Sequence, residues 1–233
     1  MARLFYLEHK MKVVLATSSP TPQLSSFFAK SMAETYAAGA KEDIEFIFLW
    51  SPDEFSFRNE AAELAINNDC DSVVFIKPHL QWVAEDLISI LKNDSLIEGV
   101  PTKNLYSPQQ YYKVILNEIK EDLEGSVNAK IIDLDFIKIK KEVFTRIYDF
   151  VIKANLVKED IVEQIPLYFY SSADENGPMT QDINFCRAVE KAEIPIEINV
   201  NVAVFEHVWT PRKTFIGEDL RKDFVSKGFK EHG

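Results

Sequence analysis

The segment 71-DSVVFIKPHLQW-82 decides the fold and raises the question of function. Val73 to Ile76 are four consecutive apolar residues, which is typical of a strand buried on both faces of a parallel sheet. The strand then ends in a cation, a proline and an imidazole, namely Lys77, Pro78 and His79. Proline cannot continue a β-ladder, so the simplest interpretation is a chain reversal. The carboxyl end of a buried parallel strand is also where such sheets bind ligands, so a binding role stands beside it.

Strands and helices alternate around this segment. The runs "KVVLAT" (12–17) and "IEFIFLW" (44–50) predict two further buried strands. Apolar residues recur at helical spacing over 23–38, 58–68 and 83–93. The order βαβαβα implies right-handed crossovers and a mostly parallel central sheet flanked by helices. The predicted fold class is therefore α/β and Rossmann-like.

The second half of the chain has a more mixed pattern. Residues 109–123 predict a helical segment, and alternation over 132–139 predicts a strand that runs into a helix from Lys141. Residues 166–172 and 194–207 predict strands, separated by a polar loop and a helix over 180–193. We expect mixed strands in this half. The predicted organisation is an N-terminal extension at 1–10 and a single domain at 11–233, divided into halves at 11–103 and 104–233.

Composition narrows the classes of protein. A chain of 233 residues that is 46% hydrophobic suits one globular domain. Its formal net charge of −11 repels phosphate backbones, which disfavours broad non-specific nucleic-acid binding. Two cysteines in apolar surroundings, Cys70 and Cys186, indicate a reducing compartment. No apolar run is long enough to span a bilayer, so the expected location is the cytoplasm with no membrane partner.

Several common site motifs are missing from the sequence. There is no Walker pattern and no GxGxxG, so no glycine loop is set up to hold phosphates. CxxC and HExxH are absent, which removes zinc sites of standard spacing. A GxSxG nucleophile elbow is also absent.

An ordered series of weaker motifs remains. The series reads "FRNEAAELAI", "VVFIKPHLQW", "EGVPTKNLY", "DLDFIKIKKEVF", "TQDINFCRAVEKAEIPI" and "FEHVW". In this order the chain resembles the GT-A-fold nucleotide-sugar glycosyltransferases, especially the small ones found in bacteriophages. Each motif alone is weak, but together they span 57–209 in the family's order.

The resemblance implies a GT-A-like domain that transfers a sugar from a nucleotide-sugar donor, a UDP-sugar, to a hydroxyl group with inversion. Residues 11–103 would be the donor-binding half and 104–233 the acceptor half and C-terminal tail. Asp182 matches the family's general base. The donor-binding positions would be Thr17, Ser18, Arg58, Asn59, Lys77, His79 and Lys103. The phage relatives imply 5-hydroxymethylpyrimidine in DNA as an acceptor, whereas glycan, lipid-linked and protein acceptors stay open.

The sequence departs from the family at the acid-x-acid motif, which should hold a divalent metal against the diphosphate. Lys77 and His79 stand in place of the two acids. Three alternatives follow. In the first, His79 and His207 are joint ligands of a divalent metal, Mn or Mg as in the family, or Fe or Zn, since imidazole suits Mn, Fe and Zn. In the second, Lys77 supplies the positive charge without a metal, and in the third the site is degenerate and the chain is a non-catalytic binding or assembly protein. We favour Lys77 over a metal because an ammonium group would repel a cation.

Structural interpretations accompany each of these assignments. Asp182 would stabilise the start of its helix against the helix dipole even without a catalytic role. Arg58 and Asn59 suit the surface of a helix start, and His79 suits a hydrogen-bonded surface site. Gln181 occupies a position where the family motif has glutamate. This departure next to Asp182 counts against its assignment as the base. The sequence does not indicate an oligomeric state.

Overall fold

The computed structural model describes residues 10–20, 24–102, 114–117, 126–158, 161–175, 177–207 and 211–214. Its strands are β1 Met11–Ser18, β2 Ile44–Ser51, β3 Ser72–Ile76, β4 Leu80–Trp82, β5 Ile97–Gly99, β6 Val114–Leu116, β7 Ser126–Ile132, β8 Phe136–Lys140, β9 Ile152–Lys158, β10 Ile161–Leu167, β11 Ser172–Asp174, β12 Gly177–Met179, β13 Ile196–Asn199, β14 Val204–His207 and β15 Pro211–Thr214. Its helices are α1 Ser26–Lys41, α2 Phe57–Asn67, α3 Ala84–Lys92, α4 Lys141–Ile147 and α5 Gln181–Lys191, with a 3₁₀ turn at Tyr148–Phe150.

An eight-stranded sheet forms the centre of the described chain, in the order β2-β1-β3-β8-β5-β13-β7-β6. β1 runs parallel to both β2 and β3, which confirms the parallel N-terminal part predicted from the sequence. β8 enters antiparallel between β3 and β5, and β7 is antiparallel to β13 and β6. The α/β class with mixed strands in the second half is thus confirmed.

The strand order places helices on both faces of the sheet. The chain leaves β1 for the outer strand β2 and then returns past β1 to β3, so right-handed crossovers put α1 and α2 on opposite faces. α1 packs against α3, whereas α2 contacts α4 and α4 contacts α5. Trp82 joins β4 to α1, because its indole N–H donates to the hydroxyl of Thr35 and its carbonyl accepts from the hydroxyl of Ser31.

A charged pair is buried within the sheet. Lys138 of β8 and Glu98 of β5 are both inaccessible to solvent, and the Lys138 Nζ lies 3.7 Å from Glu98 Oε2. Lys138 also donates to the carbonyls of Ile90 and Asn93, each at 2.9 Å. Burial lowers the pKa of Lys138 to about 8 and raises the pKa of Glu98.

The second half differs from the sequence prediction in several elements. The predicted strand at 132–139 is interrupted, because Asp133 to Asp135 form a bend between β7 and β8. The strand predicted at 166–172 ends at Leu167, and the one predicted at 194–207 is divided into β13 and β14. The polar loop forms the β11–β12 hairpin. Of the helix predicted at 109–123, residues 114–116 form β6, and most of the rest lies outside the described residues.

No helix in the described part of the chain is long and apolar enough to cross a membrane. The N-terminal extension predicted at 1–10 lies outside the described residues except for its last position. The division into two functional halves at residue 103 stays a prediction.

Candidate functional site

A cleft of about 340 Å³ opens at the carboxyl ends of β1 and β3. Elements that are far apart in the sequence supply its walls: the end of β1, the starts of α2 and α5, the turn after β3 and the bend before β8. The polar side chains that line it are Ser18, Glu54, Arg58, Lys77, His79, Asp135, Ser171, Thr180, Gln181 and Asp182. The cleft therefore brings together five of the sequence-predicted site residues, which are Ser18, Arg58, Lys77, His79 and Asp182.

The Lys77-Pro78 pair turns the chain, as its simplest interpretation requires, and it also lines the cleft. The amide N–H of Leu80 donates to the Lys77 carbonyl at 3.1 Å, which closes the turn between β3 and β4. The short strand β4 was not predicted from the sequence. The same few residues therefore reverse the chain and present side chains to a cavity.

Lys77 is held by Asp135 through both backbone and side chain. Its amide donates to the Asp135 carbonyl at 2.9 Å, and its Nζ lies 2.6 Å from Asp135 Oδ2. The carboxylate is nearly buried while the lysine side chain is 35% exposed. Asp135 therefore balances the positive charge of Lys77, which the sequence analysis expected to bind the diphosphate of the donor.

Asp135 belongs to a small buried acidic network. The Thr102 hydroxyl lies 2.7 Å from Asp133 Oδ2 and 3.0 Å from Asp135 Oδ2, and all three residues are buried. One hydroxyl proton serves one acceptor at a time, so these carboxylates compete for it. Sequence analysis missed both acids because their alternation with apolar residues was interpreted as one strand.

His79 is paired with a residue that sequence analysis also missed. Its Nε2 lies 2.9 Å from Oε1 of Glu206, whose side chain is 9% exposed. Glu206 belongs to β14 and lies opposite Leu80 of β4, which brings it beside the turn that carries His79. The only available signal was a single glutamate inside an apolar run, and its partner was too distant in the chain to be inferred.

The metal alternative of the sequence analysis depends on His79 and His207. Within the described ranges, no group of three or more His, Cys, Asp or Glu side chains is arranged to hold a metal ion. His207 is the last residue of β14, and its side chain is outside the described set. Lys77 stands where the sequence resemblance implies the first acid of the metal motif. A metal at His79 and His207 stays a prediction, and no chemical step is assigned to it.

Arg58 is fixed at the start of α2 by Gln181 at the start of α5. The Arg58 Nη1 donates to Gln181 Oε1 at 2.7 Å, and Gln181 Nε2 donates to the Phe55 carbonyl at 2.7 Å. The guanidinium also lies over the ring of Phe57, 4.9 Å from its centroid. The amide at position 181 thus orients a cation and joins the two helix starts.

Asp182 is half-buried in the first turn of α5 and lines the same cleft as Lys77. The helix dipole stabilises a carboxylate at this position whether or not it has a catalytic role. Its place at the cavity is what a base acting on a bound hydroxyl requires.

Two predicted donor-binding residues, Asn59 and Thr17, lie away from the cleft, and a third falls outside the described residues. The Asn59 amide pairs with the backbone of Phe169, donating to its carbonyl at 2.7 Å and accepting from its N–H at 3.1 Å. Thr17 is fully buried within β1, and Lys103 lies outside the described residues. Asn59 therefore ties α2 to the segment after β10.

The two cysteines do not offer a nucleophile to this cleft. Both are buried free thiols. Desolvation raises the pKa of Cys186 to about 12 and also raises the pKa of Cys70. Because the thiolate is the reactive form, both sulfurs are inert near neutral pH.

No protein-family model matches the sequence, and no curated protein matches it. Among solved structures, the chain is similar to A197 from STIV at 12% identity and a TM-score of 0.49, over 85% of this chain and 86% of that one. An apo UDP-glucose pyrophosphorylase is 8% identical with a TM-score of 0.40, over 94% and 82% of the two chains. A glucose-1-phosphate thymidylyltransferase from Bacillus anthracis, in complex with sucrose, is 9% identical with a TM-score of 0.35, over 59% and 74%. Similarities this distant carry no argument about the site.

Proposed function

We propose that the cleft binds a nucleotide sugar, a UDP-sugar, and transfers its sugar to a hydroxyl group. One observation carries this proposal: Ser18, Arg58, Lys77 and Asp182, supplied by four separate elements, line a single cavity at the carboxyl ends of β1 and β3. This is the edge at which open α/β sheets bind nucleotides.

The diphosphate of the donor would lie among Arg58, Lys77 and the starts of α2 and α5. The amino ends of both helices line the cleft, and the helix dipoles favour an anion there. The guanidinium of Arg58 is already oriented by Gln181. Lys77 must exchange part of its contact with Asp135 for a phosphate oxygen, so its contribution depends on that ion pair.

Asp182 would act as the general base. Its carboxylate takes the proton of the acceptor hydroxyl while the hydroxyl oxygen forms a bond to the anomeric carbon. The bond from that carbon to the diphosphate breaks, and the electron pair leaves with the phosphate oxygen. Attack from the face opposite the leaving group inverts the anomeric configuration, so a retained configuration in the product would contradict this role.

The acceptor is the second part of the proposal. The resemblance implies a hydroxymethylated pyrimidine in DNA, which an enzyme reaches through the major groove or by flipping the base. The net charge of −11 disfavours tight binding to the phosphate backbone of a duplex. Recognition would therefore depend mainly on contacts to the modified base.

Two measurements test the proposal. Calorimetry with UDP-sugars, in Mn²⁺, in Mg²⁺ and in chelator, should detect binding that the chelator does not remove, and Lys77→Ala should weaken it. A mass-shift assay on DNA containing 5-hydroxymethylcytosine or 5-hydroxymethyluracil should then detect a hexose or pentose on the base. Absence of UDP-sugar binding under every condition would overturn the proposal.

A second candidate is a non-catalytic binding protein that keeps the fold. It is favoured by one specific observation: both groups that replace the family's acids are paired with carboxylates, Lys77 with Asp135 and His79 with Glu206. That arrangement lowers the net positive charge offered to a diphosphate. Donor binding without transfer to any tested hydroxyl, and without slow hydrolysis of the donor by water, would support this candidate.

A further inference from the structure

The His79–Glu206 pair has the form of an oriented imidazole at the edge of a ligand cleft. A carboxylate can only accept hydrogen bonds, so the 2.9 Å contact requires the proton to be on His79 Nε2. The other ring nitrogen, Nδ1, is the one that Glu206 does not use. Because His79 lines the cleft, Nδ1 is the nitrogen available to a ligand there.

The position of Glu206 is costly for a purely structural residue. Its side chain is more than nine-tenths buried, and within the described residues its Oε2 has no hydrogen-bond partner. Burying a carboxylate contributes little net stability even when it is paired, and an apolar residue of similar size would serve β14 as well or better. A carboxylate that fixes an imidazole beside a cavity accounts for the cost.

We propose that Glu206 is a positioning residue that holds His79 with Nδ1 directed to the diphosphate of the donor. This inference rests on the proposed function. A phosphate oxygen accepts the hydrogen bond from Nδ1, and the negative charge of Glu206 at the other ring nitrogen favours that contact. When the bond between the sugar and the phosphate breaks, the electron pair stays on the phosphate oxygen, which keeps its hydrogen bond from Nδ1. No proton changes place in this step.

The His79–Glu206 pair also gives the cleft a second hydrogen-bond donor to the diphosphate beside Lys77, which is already paired. Asp135 holds Lys77 at 2.6 Å, so its charge is partly used within the protein. His79 provides a second donor to the same ligand, and its own partner, Glu206, lies behind it in a strand from the far end of the chain. The C-terminal hairpin β14–β15 would thereby contribute to donor binding.

The first test observes the ring itself in the full-length protein without ligand. Long-range ¹H–¹⁵N correlation spectra distinguish protonated from unprotonated ring nitrogens, and the signal absent from His79→Gln assigns His79. We expect a proton on Nε2 in the wild type and in Glu206→Gln, whose carboxamide oxygen still accepts, and mixed tautomers in Glu206→Ala. Identical His79 shifts in the wild type and Glu206→Ala would overturn the positioning role.

The second test separates phosphate binding from nucleoside binding. Calorimetry with UDP and with uridine should show that Glu206→Ala weakens UDP about tenfold, as loss of one charge-assisted hydrogen bond predicts, and leaves uridine unchanged. Glu206→Gln should weaken UDP to a smaller extent, and the exposed Glu63→Gln should have no effect. An equal loss for UDP and uridine would indicate a structural role and would overturn the inference.

The two failures are distinguishable. A wild-type protein that binds neither UDP nor uridine would refute the nucleotide donor, and with it the ligand assigned to His79. The nitrogen shifts would still decide whether Glu206 positions the ring. If Glu206→Ala does not fold, Glu206→Gln supplies the affinity measurement, and unchanged UDP affinity in that variant would count against the inference.

Discussion

The ammonium of Lys77 and the carboxylate of Asp135 lie 2.6 Å apart at the cleft, with Asp135 nearly buried and Lys77 partly exposed. A cation held in this way attracts a phosphate less than a free lysine, because the two partners cancel much of each other's field. The pair therefore controls how much positive charge the cleft offers.

Asp135→Asn should strengthen UDP binding. The asparagine oxygen can still accept from Lys77 or Thr102, but the negative charge is removed, so we expect about a tenfold gain in affinity, or ~1.4 kcal/mol. Calorimetry at low ionic strength measures this gain, and Asp94→Asn, which changes an exposed acid paired with Lys140, is the control. Unchanged or weaker UDP binding in Asp135→Asn would show that Lys77 does not meet the diphosphate.

Asp182→Asn should separate binding from turnover. Removing a general base lowers the rate of the chemical step by about 100-fold or more, whereas contacts to the donor are retained. We expect UDP affinity within twofold of the wild type and loss of sugar transfer in the mass-shift assay. Glu190→Gln changes an exposed acid on the same helix, paired with Lys130, and should behave like the wild type. Full turnover in Asp182→Asn would show that the carboxylate is not the base and only stabilises the start of α5 against the helix dipole.

Asn59→Ala should affect stability more than ligand binding. Its amide makes two hydrogen bonds to the backbone of Phe169, and their loss leaves partly buried backbone groups unpaired, at a cost of about 1–3 kcal/mol. Urea unfolding measures the loss, and Asn68→Ala, which removes an exposed hydrogen bond to the Leu64 carbonyl, is the control. Weaker UDP binding with unchanged stability would instead support the donor-binding role that the sequence analysis gave to Asn59.

The first half of the fold could be predicted from the sequence because its signals are local. The consecutive apolar residues of β1 and β3 and the helical spacing of α2 each lie within a few residues. The same holds for α5, whose start carries Asp182. Strand ends and helix starts then locate the cleft through the general rule for α/β sheets.

The partners of the site residues could not be predicted, because each depends on pairing between distant segments. Glu206 reaches His79 only because β14 pairs with β4, and a three-residue strand has almost no sequence signal of its own. Asp135 reaches Lys77 because β8 inserts antiparallel beside β3. Sequence patterns therefore identified the cations of the cleft but not the carboxylates that modulate them.

Gly99→Ala should destabilise the sheet by overpacking. A Cβ at this position would overlap Ile132 Cδ1 and would lie 3.4 Å from Ile137, so Ile132 must move within a closed core, at a cost of about 1–3 kcal/mol. Ile132→Val removes the overlapping methyl group, so Gly99→Ala combined with Ile132→Val should be more stable than Gly99→Ala alone. Urea unfolding compares the variants, and a double variant less stable than Gly99→Ala would contradict this packing.

Lys138 should make the stability of the protein depend on pH in the alkaline range. Burial lowers its pKa to about 8 in the folded chain, whereas the unfolded lysine has its ordinary value of 10.5. Between these values the unfolded state binds more protons, so the contribution of Lys138 to the free energy of unfolding rises with pH. Lys138→Met leaves Glu98 buried without its cation and should cost about 3–5 kcal/mol at neutral pH, part of which the added Glu98→Gln should restore.

Urea unfolding of the wild type and Lys138→Met between neutral pH and pH about 10 measures this effect. Loss of Lys138 also raises the pKa of Glu98 further, which destabilises the variant as the pH rises and adds to the divergence in the same direction. We expect the wild type to gain stability relative to Lys138→Met as the pH rises through the window that begins at about 8. The exposed Lys30→Met, whose lysine is paired with Glu34 on the surface of α1, should show no such divergence. A constant difference in stability between the wild type and Lys138→Met across this range would contradict the lowered pKa. It would mean that Lys138 stays protonated inside the sheet, as a full positive charge beside Glu98.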